Sequence, residues 1–119
     1  MTSRSEQAVL HYLDRMVAHD WAAVSACLHP EVVRVGPFGD VYHPRRPYVE
    51  FLSALMPTLE QYALSVERTV GRGLVVMVQL TETMEIGGSL DETHEVLVFD
   101  TDAAGLITRI DIFIQRATP

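Results

Sequence analysis

LVVMVQLTETMEIGGSLDETHEVLVFD, residues 74–100, carries the pattern that decides the fold. Apolar and polar residues alternate over much of it, the period of a strand whose two faces meet different surroundings. Gly87-Gly88 interrupts the run with two residues suited to the backbone angles of a tight hairpin. The segment therefore reads as a long strand over 74–86, a turn, and a second strand over roughly 90–100. The pattern extends both ways. DAAG (102–105) is a further turn into LITRIDIFIQ (106–115), and YALSVERTV (62–70) is a strand before the hairpin. The second half of the chain is an antiparallel meander.

The first half reads differently. Over residues 5–18, Val9, Tyr12, Leu13, Met16 and Val17 recur at helical spacing, with Ser5 as a plausible cap. Asp20 can cap a short second helix with Trp21, Val24 and Leu28 on its inner side, ended by His29-Pro30. EVVRV (31–35) gives a strand, and RVGPFGDVYH (34–43) breaks twice at glycines. A third helix follows, with Pro47 in its first turn and an apolar stripe of Tyr48, Phe51, Leu52, Leu55, Met56 and Leu59. The order α-α-β-α-β-β-β-β is that of an α+β domain. A curved antiparallel sheet packed around three N-terminal helices leaves a pocket between the two layers.

Length and composition set the bounds. The 119 residues make a single domain, 1–119, with 48% hydrophobic and 21% charged residues. A formal net charge of −7 excludes the basic face that nucleic acid or an anionic membrane surface requires. The one cysteine, Cys27, cannot form an internal disulfide and fits a reducing compartment. It reads as a packing residue within WAAVSACL. No run reaches the roughly 18 apolar residues of a membrane span, and the N-terminus lacks a signal-peptide core. The expected protein is soluble and cytoplasmic.

Three strings, YLDRMVAHDW, VRVGPFG and LVFD…GLITR, in this order and spacing, resemble the superfamily of nuclear transport factor 2, ketosteroid isomerase and the SnoaL-like polyketide cyclases. The resemblance covers roughly residues 5–116. It implies a cone-shaped, curved antiparallel sheet closing over three helices, a deep pocket, and often a homodimer formed through the sheet. The fold hosts isomerases, cyclases, dehydratases, epoxide hydrolases and non-enzymes, so it does not name the chemistry.

Two members supply residue-level comparisons. Ketosteroid isomerases hold an oxyanion with a first-helix tyrosine and a protonated carboxylic acid on a late strand. Tyr12, eight residues before Asp20, matches the tyrosine, and Glu95 falls at the acid. Their base is an aspartate just before the corner, and the residue there is Gly36, which has no side chain to carry a proton. Limonene-type epoxide hydrolases need an arginine and two aspartates. Those positions read Thr83, Glu85 and Ile112, with Asp111 one step out of register. The SnoaL-like cyclases use a carboxylate in an apolar pocket, which leaves Glu95, Glu85 and Asp111 open.

Alternation sorts these carboxylates by face. Leu106, Thr108, Ile110, Ile112 and Ile114 form the apolar side of the last strand, which turns Asp111 outward beside Arg109. On the long strand, Thr81, Thr83 and Glu85 share a face with Met77 and Gln79. The opposite face is apolar except for Glu82. Periodicity leaves the Thr-Thr-Glu face in solvent, whereas family register turns it toward the pocket mouth. Neither face of Glu95 is cleanly polar, and family register points it inward, where desolvation would raise its pKa. His94 then faces outward.

The expected catalytic set is thus Tyr12, Glu95 and Glu85. The expected pocket wall is Met16, Trp21, Phe38, Tyr48, Phe51, Met56, Met77 and Thr83, a soft apolar surface for an apolar ligand. The histidines lack metal-ligand spacing, and neither metal nor cofactor is implied. The expected function is a SnoaL-like enzyme performing cofactor-independent acid–base cyclisation or isomerisation of an apolar carbonyl-bearing molecule. A non-catalytic ligand-binding homodimer is the alternative, and an epoxide hydrolase a further one.

Overall fold

The computed structural model describes residues 2–115. Three helices come early: α1 (Arg4–Val17), α2 (Trp21–Cys27) and α3 (Arg45–Leu55), the last running into a 3₁₀ turn at Met56–Thr58. The strands are β1 (Leu28–Val35), β2 (Val41–Tyr42), β3 (Ala63–Arg72), β4 (Val75–Ile86), β5 (Ser89–Thr101) and β6 (Ile107–Gln115). They form one curved, unclosed six-stranded sheet in the order β2-β1-β6-β5-β4-β3. This is the α+β arrangement expected, with two additions. The two-residue β2 lies in the stretch read as a break, and β1 pairs with β6 in parallel, so the sheet is mixed.

Local chemistry sets the element boundaries. Ser3, rather than Ser5, caps α1, its side chain accepting from the Glu6 N–H at 3.1 Å. Ser5 is buried instead, its Oγ 3.0 Å from Thr101 Oγ1, tying α1 to the end of β5. Asp20 caps α2 through the Ala23 N–H at 3.2 Å, as its sequence position indicates. The β4–β5 hairpin turns on Gly87 and Gly88 at φ 60° and 84°, backbone that glycine adopts without a Cβ penalty.

The core fills the angle between α1 and the inner face of the sheet. Val9, Tyr12, Leu13 and Met16 meet Val76, Val78, Leu80, Leu97 and Phe99, and the Tyr12 and Phe99 rings contact edge to face at 5.9 Å. Alternation predicts the inner face of β4 well, and that of β6 only in part. Ile110 is buried, as expected, but so is Ile107, which strict alternation sends outward. Register explains it: Ile107 pairs with Thr101 and Arg109 with Asp100, so Thr108 is an extra residue that reverses the phase. Among the described residues, no helix is long and apolar enough to cross a membrane.

Candidate functional site

A cavity of about 590 Å³ opens between the helices and the inner face of the sheet. Its walls are mainly aliphatic and aromatic, and the polar side chains that interrupt them fall into two groups.

The first group sits where α1, α3 and β1 meet. The Tyr12 and Tyr48 hydroxyls share a hydrogen bond of 2.5 Å. Both side chains line the cavity and both are almost completely buried. Burial, together with each other's proximity for Tyr12, raises both phenols above their ordinary value, so both hold their protons at neutral pH. Arg34 joins them from β1. Alternation places it on the same side as the buried Val32, and its side chain is 11% exposed. Its Nη1 donates to Asp40 Oδ2 at 2.7 Å, and its guanidinium lies 5.7 Å from the Tyr42 ring centre and 5.4 Å from that of Phe51. Those two rings stack on one another at 4.0 Å. The Arg34 Nε, by contrast, is buried without a hydrogen-bond partner among the described residues. A buried unpaired donor costs about 1–3 kcal/mol, more on a charged group.

The second group lies across the cavity on β4 and β5. Glu95 stands opposite Leu80 and Glu82 opposite Thr93, so the two glutamates are diagonal neighbours on the inner face. Glu95 is 7% exposed. Burial first, then its hydrogen bond to Glu82 and that carboxylate's charge, push it up to about 9, with Arg34 pulling the other way. Two close carboxyl groups in a dry site hold one proton between them, and here Glu95 carries it. The Tyr62 hydroxyl donates to Glu82 Oε2, fixing that carboxylate from the third side.

Of the residues singled out by sequence, Tyr12, Glu95, Met16, Phe38, Tyr48, Phe51 and Met56 line this cavity. Four others do not. Glu85 bonds Gln61 Nε2 at 2.7 Å near the rim, and Thr83, two residues earlier on the same face, pairs with Glu92. Met77 is 48% exposed on the outer face, and Trp21 stacks on His19 at 5.6 Å beside α2. The cause is one of phase. Family register turned Thr83 and Glu85 inward, whereas the strand follows its own alternation and turns Glu82 inward between Leu80 and Met84. Asp111 faces outward in a fork with Arg109 at 2.9 and 3.1 Å, as alternation indicates, while Ile112 lines the cavity. His94 is also outward, between Thr81 and Glu92.

The corner before α3 accounts for the missing base. A Cβ built on Gly36 would stand 2.6 Å from Asp40 Cγ and closer still to its oxygens. The Asp40 carboxylate therefore occupies the space that a side chain at position 36 would need. Although partly desolvated, it is held below the ordinary aspartate range by its bond to Arg34. Elsewhere, no three histidine, cysteine or acidic side chains come together as a metal-ligand set among the described residues.

Comparison with known proteins agrees with this architecture. The family model of the SnoaL-like domain matches residues 9–110. No curated protein matches the chain. An LEH-like epoxide hydrolase from M. tuberculosis superposes with a TM-score of 0.83 at 21% identity, over 96% of this chain and 84% of the other. TerC, co-crystallised with polyporic acid, gives 0.83 at 20%, covering 95% and 92%. A protein of unknown function with a cystatin-like fold from Methylobium petroleophilum PM1 gives 0.84 at 18%, covering 100% and 80%. At such identities the likeness is one of fold.

Proposed function

The chain belongs to the SnoaL-like family, and from that premise we propose that it is a cofactor-independent acid–base enzyme acting on an apolar, carbonyl-bearing small molecule. The observation that carries this reading is the Glu82–Glu95 pair. One carboxylate and one carboxylic acid, fixed side by side in an apolar cavity, can take a proton at one point and give one back at another.

Glu82 is the base. It removes the proton from the carbon next to the carbonyl, and the C–H electron pair moves onto the carbonyl oxygen as an enolate. The Tyr48 hydroxyl, backed by Tyr12, donates to that oxygen. Tyr12 thus acts through its neighbour, since its hydroxyl is already engaged with that of Tyr48. Glu95 supplies the returning proton. In an isomerisation it goes to a distant carbon of the enolate. In a cyclisation the enolate carbon attacks a second carbonyl and the new alkoxide takes it. An apolar substrate filling the cavity displaces water from it, which strengthens each of these interactions. The protein would work in the cytoplasm as a homodimer joined through the outer face of the sheet, where Met77, Val96 and Phe113 are exposed.

The common first step provides a test that does not require the natural substrate. In D2O, the protein should accelerate hydrogen–deuterium exchange next to the carbonyl of 2-tetralone, followed by NMR, by roughly 100-fold or more over buffer. Glu82→Gln should abolish the acceleration. Binding of 2-tetralone by calorimetry without any acceleration would instead favour the non-catalytic ligand-binding protein, a reading supported by the loss of a side chain at Gly36.

A further inference from the structure

We propose that Arg34 makes the cavity a receptor for a ligand carrying an acidic oxygen, an apolar ring system whose enol or phenol is bound as its anion. The proposal rests on the same cavity as the acid–base reading, and it adds the class of ligand.

Four features of Arg34 point this way. Its side chain lines the cavity and is almost fully enclosed. Asp40 takes Nη1, and the Tyr42 and Phe51 rings lie against the guanidinium, so the group is fixed in place. Its Nε is nevertheless left buried with no acceptor among the described residues. The guanidinium charge is held rigidly at the cavity wall with Nε short of an acceptor, and a ligand oxygen that reaches this group gains a charge-assisted hydrogen bond. The neighbouring Tyr48 and Tyr12 hydroxyls extend the same wall, so an oxygen there meets donors from two types of group.

Charge selects the form of that oxygen. A neutral carbonyl would satisfy the geometry, but an oxyanion also gains the field of the guanidinium in a low-dielectric site. The opposing acidic charge is limited in two ways. Glu95 and Glu82 share one proton, and the other carboxylates nearby, Asp91 at the cavity lining and Asp40 beside Arg34, are open to solvent, which screens them. The aromatic and aliphatic lining then requires the remainder of the ligand to be apolar. Together these features describe a vinylogous acid or acidic phenol fused to a hydrocarbon ring, with its acidic oxygen at Arg34 and a carbon face toward Glu82.

The test uses a matched pair of probes, 4-hydroxycoumarin, an enolate at neutral pH, and 4-methoxycoumarin, its neutral methyl ether. Calorimetric titration of the wild-type protein should show about tenfold or greater preference for the hydroxy compound. Arg34→Met should remove that preference while leaving 4-methoxycoumarin affinity within about twofold. Arg34→Lys, which keeps the charge and loses Nε, should fall between them. Circular dichroism and thermal melting establish that each variant folds. If Arg34→Met does not fold, the wild-type preference and the Arg34→Lys loss decide. Equal affinity for both probes, equal weakening of both by Arg34→Met, or no binding of 4-hydroxycoumarin at millimolar concentration overturns the proposal. The two readings separate cleanly. Anion preference without proton exchange keeps this inference and removes the catalytic one, whereas exchange without anion preference does the reverse.

Discussion

At the scale of single residues, Glu95 has the most direct consequences. A folded state that keeps this proton up to about pH 9 binds more protons than the unfolded chain, whose glutamate titrates near 4.5. Stability should therefore fall as pH rises between those two values and level off above the upper one. Glu95→Gln removes the titration, so its melting temperature should decline less between pH 5 and pH 9 than that of the wild type. The same proton sets the rate profile: turnover should drop above about pH 9 as the acid is lost. A second prediction concerns the tyrosine pair. Tyr12→Phe or Tyr48→Phe alone strands a buried hydroxyl, at about 1–3 kcal/mol. The double variant leaves neither polar group, and its cost in chemical denaturation should be clearly less than the sum of the single costs. Glu95 and Tyr12 are reachable from sequence because family spacing marks them. Glu82 and Arg34 carry a signal too, since each falls on an apolar face of its strand. That signal is ambiguous by itself, because a charge on such a face can mark either a defect in the pattern or a polar group turned into a cavity.

At the scale of elements, the corner between β1 and β2 is the point of greatest constraint. Gly36 provides the room for Asp40, and Asp40 fixes Arg34. Gly36→Ala should displace the carboxylate and cost about 1–3 kcal/mol in denaturant unfolding, an overpacking penalty. Asp40→Ala in the same chain should relieve part of it, because the two substitutions act on one contact. Elements with strong local periodicity (α1, α3 and β4) can be read from the chain because each buries one face. The bulge at Thr108 cannot. It adds a residue in response to how β6 must meet β5, and no local propensity records that. The parallel pairing of β1 with β6 and the short β2 are likewise decided by partners distant in sequence.

At the scale of the whole molecule, the outer face of the sheet remains open. Gln79, Val96 and Phe113 align across β4, β5 and β6, with Met77 and Val98 in the next row. Phe113 is 59% exposed. An apolar band of this kind on a sheet face is the surface that the proposed homodimer would cover. Sedimentation should therefore give a dimer, and Phe113→Glu should convert it to a monomer by placing a charge within the contact. A wild-type monomer at high micromolar concentration would remove the dimer from the proposed function.

Sequence by itself determined the layer arrangement, the hairpin, the helix cap at Asp20 and the inward face of β4, because each depends on the period of burial or on one residue's backbone preference. Tertiary structure alone decided the site. A cavity exists only where α1, α3 and the curved sheet fail to touch, and the walls of that gap come from segments far apart in the chain. Only there does Glu82 meet Glu95, Tyr12 meet Tyr48, and Arg34 lie enclosed with Nε unpaired. Proton affinity depends on surroundings in three dimensions, so the same glutamate that is an ordinary acid in the sequence holds its proton at neutral pH in the fold.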